Sequence, residues 1–158
     1  MKSIALKILT VLTLTLPAFA GDNHEKKEAG PNGGRVLTAV EPHLEFLVTK
    51  DRKVEITALS EDLKAAKLSG QVIAVTAGER SKPTKLEFKD DGGKLVSSNA
   101  LPEGNDFPVS VSIKANASAK AVYEKFNMNL EKCPACKRPE YACICFHSHD
   151  QEKAEQKK

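Results

Sequence analysis

Six side chains able to bind a soft metal ion lie in one short segment: Cys133-Pro-Ala-Cys136-Lys-Arg-Pro-Glu-Tyr-Ala-Cys143-Ile-Cys145-Phe-His147-Ser-His149. All four cysteines of the chain are here. A C-x-x-C pair lets two sulfurs reach one ion from a tight turn, because the backbone between them folds back toward it. Cys143, Cys145, His147 and His149 are spaced by two. In an extended segment their side chains share one face. Ile144 and Phe146 then lie on the opposite face, where they can pin the segment to the domain. Pro139 and the connection 137–142 can fold the first pair back over that row. The expected site has four sulfurs, with two imidazoles at its open end.

Thiolates and imidazoles are soft to borderline ligands, so they favour zinc or copper(I) over calcium or magnesium. Tetrahedral zinc needs four ligands, and six are present. Either His147 and His149 are spare, or the site is labile, or it takes more than one ion. The six-residue connection is shorter than in a zinc ribbon, where the pairs stand ~15 or more residues apart. The competing reading is a disulfide-stapled structural or protein-interaction module, since an even cysteine count in an exported chain is the usual disulfide signature. Bridging Cys143 to Cys145 would strain an extended strand, with Cα atoms about 7 Å apart. Cross-bridges Cys133–Cys145 and Cys136–Cys143 are feasible in a small hairpin. A third reading is thiol–disulfide exchange at Cys133-Pro-Ala-Cys136. It lacks the helix N-terminus in a βαβ setting that would activate the thiol.

The compartment follows from the N-terminus. Lys2 supplies a positive start, Ile8 to Leu16 is an apolar run, and Ala18-Phe19-Ala20 is a small-x-small cleavage pattern. Residues 1–20 therefore read as a secretory signal peptide. The run is shorter than the ~20 residues needed to span a bilayer. A periplasmic or secreted chain is expected, without stable membrane insertion, and its cysteines meet an oxidising environment. Without Lys2 and Lys7 the formal charge of +3 falls to about +1, too little for a nucleic-acid footprint. There is no Trp and aromatics are 5%, which disfavours a base-stacking surface.

The elements that must position the cluster come next. The 158 residues allow one domain plus tails. Residues 21–34 read as a flexible leader ending in a turn, with His24 solvated within it. From 35 to 130 the dominant signal is period-two alternation, the mark of half-buried strands. Candidate strands are Arg35 to Val40, His43 to Thr49, Lys53 to Ala58, Gln71 to Thr76, Thr84 to Lys89, Lys94 to Ser97, Phe107 to Ala115 and a last one ending at Leu130. Glu61 to Leu68 is a short helix or a loop. Lys50-Asp51-Arg52 and Asp90-Asp91-Gly92-Gly93 read as hairpin turns. About eight short strands predict an all-β fold, an antiparallel immunoglobulin-like β-sandwich. It carries a Cys/His-rich extension at 131–150 and a charged disordered tail at 151–158. A loose C-terminal site suits metal transfer.

Gly33-Gly34-Arg35-Val36, Pro42-His43-Leu44-Glu45-Phe46, Lys53-Val54-Glu55-Ile56-Thr57 and Phe107-Pro108-Val109-Ser110-Val111 together resemble the small N-terminal β-domain of periplasmic adaptor subunits of heavy-metal efflux (RND-type) systems. The resemblance runs from Gly33 to Leu130. It implies an exported β-sandwich linked to metal resistance or delivery, with a metal-efflux component as a partner. Asn32-Gly33-Gly34 stands where the family pattern often has His-Gly-Gly. His43 matches the family position and reads as a surface histidine flanking a strand. No phosphate loop, G-x-S-x-G elbow or H-E-x-x-H helix occurs, so no enzyme is expected. The expected function is sequestration or delivery of zinc or copper(I).

Overall fold

The computed structural model of the chain describes residues 28–145. The expected signal segment, His24, Phe146, His147, His149 and the charged tail lie outside the described residues. The strands run β1 (Arg35–Leu37), β2 (Leu44–Val48), β3 (Val54–Leu59), β4 (Ala65–Ala66), β5 (Val72–Ala77), β6 (Thr84–Leu86), β7 (Phe88–Asp91), β8 (Lys94–Ser97), β9 (Asp106–Lys114) and β10 (Val122–Asn129). A 3₁₀ turn, Glu140–Ala142, follows. One sheet has the order β1-β2-β3-β8-β7, with β4 also paired to β3, and the other the order β10-β9-β5-β6. The strand pairs are antiparallel. The chain is predominantly β, as its alternation predicts.

β9 shows why. Phe107, Val109, Val111 and Ile113 are buried, while Pro108, Ser110 and Ser112 between them are not. Each such buried side chain contributes ~1.5–3 kcal/mol, so only one face of the strand can turn inward. One hydrophobic cluster draws on both sheets, with Leu37, Leu44, Phe46 and Ile56 from the first and Val75, Val111, Ile113 and Met128 from the second. The rings of Phe46 and Phe126 meet across it edge to face, centroids 5.4 Å apart.

Three details depart from the patterning. Thr84 to Lys89 is not one strand. It breaks at Glu87, so that β6 joins β5 in one sheet and β7 joins β8 in the other. Asn99 splices the break, accepting from the Glu87 N–H at 2.9 Å and donating to the Lys85 carbonyl at 2.9 Å. Residues 61–68 form a loop carrying β4, not a helix. Leu63 has φ of 55°, a left-handed conformation that cannot propagate a right-handed helix. Between β7 and β8, Gly92 and Gly93 both have positive φ, 69° and 94°, as a two-residue type I′ turn requires.

The third departure is Glu45, which the alternation places on the outer face. Its side chain is buried all the same. Residues 30–34 fold over it, and its carboxylate accepts from the N–H groups of Asn32 (2.9 Å) and Gly34 (2.8 Å) and from the Asn32 side-chain amide (2.8 Å). The approach is so close that a Cβ on Gly34 would lie 2.5 Å from the Phe46 carbonyl oxygen.

Candidate metal centre

After β10 the chain turns into a narrow hairpin. Lys132 bridges Pro139, the Cys133 N–H donates to the Arg138 carbonyl at 2.8 Å, and the Glu140 N–H donates to the Glu131 carbonyl at 2.8 Å. The tip is Pro134 to Lys137, closed by the Lys137 N–H on the Cys133 carbonyl at 3.0 Å. Lys137 has φ of 62°, and this left-handed residue reverses the chain. The 3₁₀ turn then brings it back, with the Cys143 N–H on the Glu140 carbonyl at 3.1 Å. Cys143 itself is extended, at φ −68° and ψ 132°.

Tyr141 ties this segment to the sheets. It is buried, its ring meets Phe46 edge to face at 6.3 Å, and its hydroxyl accepts from the Val48 N–H at 3.0 Å. Burial pushes its phenol pKa up, and the nearby Glu45 adds to that push. The Arg35 guanidinium donates to the Tyr141 carbonyl at 3.4 Å and lies 4.7 Å over the Phe126 ring. The segment through Cys145 is thus held against the edges of β1 and β10, where a loose tail is expected from sequence. The expected pins were Ile144 and Phe146. Tyr141 is the buried anchor, and Ile144 is half-buried.

Four sulfurs converge as a result. The Sγ atoms of Cys133, Cys136, Cys143 and Cys145 all lie within 4.8 Å of one another. The Cys136–Cys143 separation is 3.6 Å and the Cys133–Cys145 separation 4.0 Å. A tetrahedral zinc with ~2.3 Å metal–sulfur bonds sets its sulfurs roughly 3.8 Å apart. A disulfide needs ~2.05 Å, well short of both separations. The arrangement can therefore hold a metal ion.

Backbone amides line the sulfurs. The N–H groups of Cys136 and Ala135 point at the Cys133 sulfur, that of Arg138 at the Cys136 sulfur, and that of Cys145 at the Cys143 sulfur at 3.4 Å. Donation by the Cys136 amide lowers the Cys133 thiol to about 7 against the opposing effect of burial. Donation by the Arg138 amide lowers Cys136 likewise. Burial pushes Cys143 up to about 12. The neighbouring Cys136 sulfur, then burial, raises Cys145. Four negative sulfurs repel one another, and a bound cation removes that conflict by drawing all four into the thiolate form.

His43 is not in the group. Its ring lies 2.9 Å from the Val40 carbonyl and 3.4 Å from the Glu41 carboxylate, beside β2. Patterning did not single out Tyr141, the left-handed Lys137 or the amide donors. The one available signal was a lone aromatic between the two cysteine pairs. A cleft of about 360 Å³ between β1 and β10 reaches Cys143 and is bordered by Arg35, Glu124, Lys125 and Tyr141. No protein-family model matches the chain, and no curated protein or solved structure is significantly similar to it.

Proposed function

We propose that this chain is an exported metal-binding protein that sequesters or delivers a thiophilic ion, zinc in the first place and copper(I) in the second. One observation carries the reading: four sulfurs within 4.8 Å of one another, two pairs of them at 3.6 and 4.0 Å. Those separations bracket the edge of a zinc–sulfur tetrahedron. Charge favours zinc as well. Four thiolates around a divalent ion leave less negative charge than around a monovalent one, and Lys132, Lys137 and Arg138 are the cations in the same hairpin.

His147 and His149 are secondary ligands in this reading, because His147 follows Cys145 by two residues. Export rests on the signal-like N-terminus. The link to heavy-metal efflux rests on the resemblance across residues 33–130, and an immunoglobulin-like sandwich is the arrangement it favours. The role is binding, without catalysis.

The test is zinc and copper(I) titration of the reduced full-length chain against a chromogenic chelator. One zinc per chain is expected, with affinity at least ~100-fold weaker in Cys133→Ser. Protein recovered from its native compartment should yield thiols that a chelator exposes. Two intact disulfides and no bound ion would instead establish the stapled interaction module.

A further inference from the structure

We infer that the four-sulfur centre has a fixed half and an exchangeable half: Cys133 and Cys143 hold the ion to the fold, and Cys136 and Cys145 are displaced by a partner that presents a pair of thiols. This rests on the metal-binding reading and adds the route by which the ion moves. Cys133 is 0% exposed and Cys143 6%, whereas Cys136 and Cys145 are partly open to solvent.

The backbone divides the same way. Cys133 is bonded through both its N–H and its carbonyl within the hairpin. Cys143 follows the buried Tyr141 and Ala142, and its N–H is bonded to Glu140. Cys136 sits at the hairpin tip between the exposed Ala135 and Lys137. Cys145 lies beyond the 3₁₀ turn, its N–H directed at the Cys143 sulfur. Two of the sulfur contacts each join one buried and one accessible cysteine, Cys133 with Cys145 at 4.0 Å and Cys143 with Cys136 at 3.6 Å. An incoming thiol can therefore replace either accessible ligand while Tyr141 stays seated. The exposed Lys132 and Lys137 suit an anionic dithiol acceptor.

Each exchange step forms one metal–sulfur bond to the acceptor and breaks one to Cys136 or Cys145. The acceptor's thiol proton passes to the departing cysteine sulfur. The ion keeps its charge and no electron moves.

The experiment is limited alkylation of the zinc-loaded full-length chain with N-ethylmaleimide, mapped by peptide mass spectrometry, with zinc content measured on the same samples. Cys136 and Cys145 should be modified at least about tenfold faster than Cys133 and Cys143. In parallel, Cys136→Ser should release zinc to dithiothreitol at least about tenfold faster than the parent chain. Equal alkylation at all four cysteines, or Cys143 first through the β1–β10 cleft, overturns the division while leaving zinc binding intact. A chain that takes up no zinc overturns both readings.

Discussion

Replacing Tyr141 by Phe removes one oxygen and leaves the ring in place. That oxygen accepts the Val48 N–H at 3.0 Å, at the end of β2. An unsatisfied buried donor costs ~1–3 kcal/mol. Val48 is only half-buried, so water can reach its amide in part, and a loss of about 1–2 kcal/mol is expected. For a domain of this size that lowers Tm by roughly 5–10 °C. The same bond orders the 3₁₀ turn that aims Cys143. Zinc must then do more of the ordering, and its affinity should fall by up to about tenfold for each 1.4 kcal/mol shifted onto binding. Urea unfolding of the reduced, metal-free chain reads the first quantity, and chelator competition reads the second. The slope of free energy against urea should not change. A stability loss below about 0.3 kcal/mol together with unchanged zinc affinity would refute the assignment of Tyr141 as the tie between centre and sheets.

Two further outcomes follow from the same geometry. Metal affinity should fall steeply with acid: near pH 8 Cys133, held at about 7, is already ionised, while Cys143, at about 12, and the raised Cys145 are not. Zinc uptake then releases about two to three protons, and about one more near pH 6, where Cys133 is protonated too, so apparent affinity drops at least ~100-fold per pH unit. Competition titrations at pH 6, 7 and 8 check this, and a tenfold drop or less per unit argues against four-thiolate binding. Gly34→Ala should cost about 1–3 kcal/mol by overpacking, since the new Cβ would meet the Phe46 carbonyl at 2.5 Å and the Glu45 side chain at 2.9 Å. A thermal melt within 2 °C of the parent chain, where about 1 kcal/mol shifts Tm by ~4–8 °C, would contradict the close approach of residues 30–34 to β2.

Local rules account for most of what the residues announced. Alternation needs only the two-residue period of a strand and one apolar face, so β9 and the β7–β8 turn could be read from neighbours in sequence. The metal chemistry was legible for a similar reason: ligand type and short spacing are properties of one contiguous segment. What neighbours in sequence could not supply was decided by contacts between distant segments. Glu87 became a break because Asn99, twelve residues away, holds both sides of it. Glu45 was buried by a loop that donates three N–H bonds to it. The four thiols became a compact centre because Tyr141 reaches back 93 residues to Val48 and fixes the turn that returns Cys143 and Cys145 to the hairpin. Sequence by itself determined which atoms can bind an ion; the fold decided that their sulfurs meet. Bringing four repelling thiolates within reach of one another is unfavourable for an isolated tail, and here the buried aromatic anchor and the amide donors offset that cost.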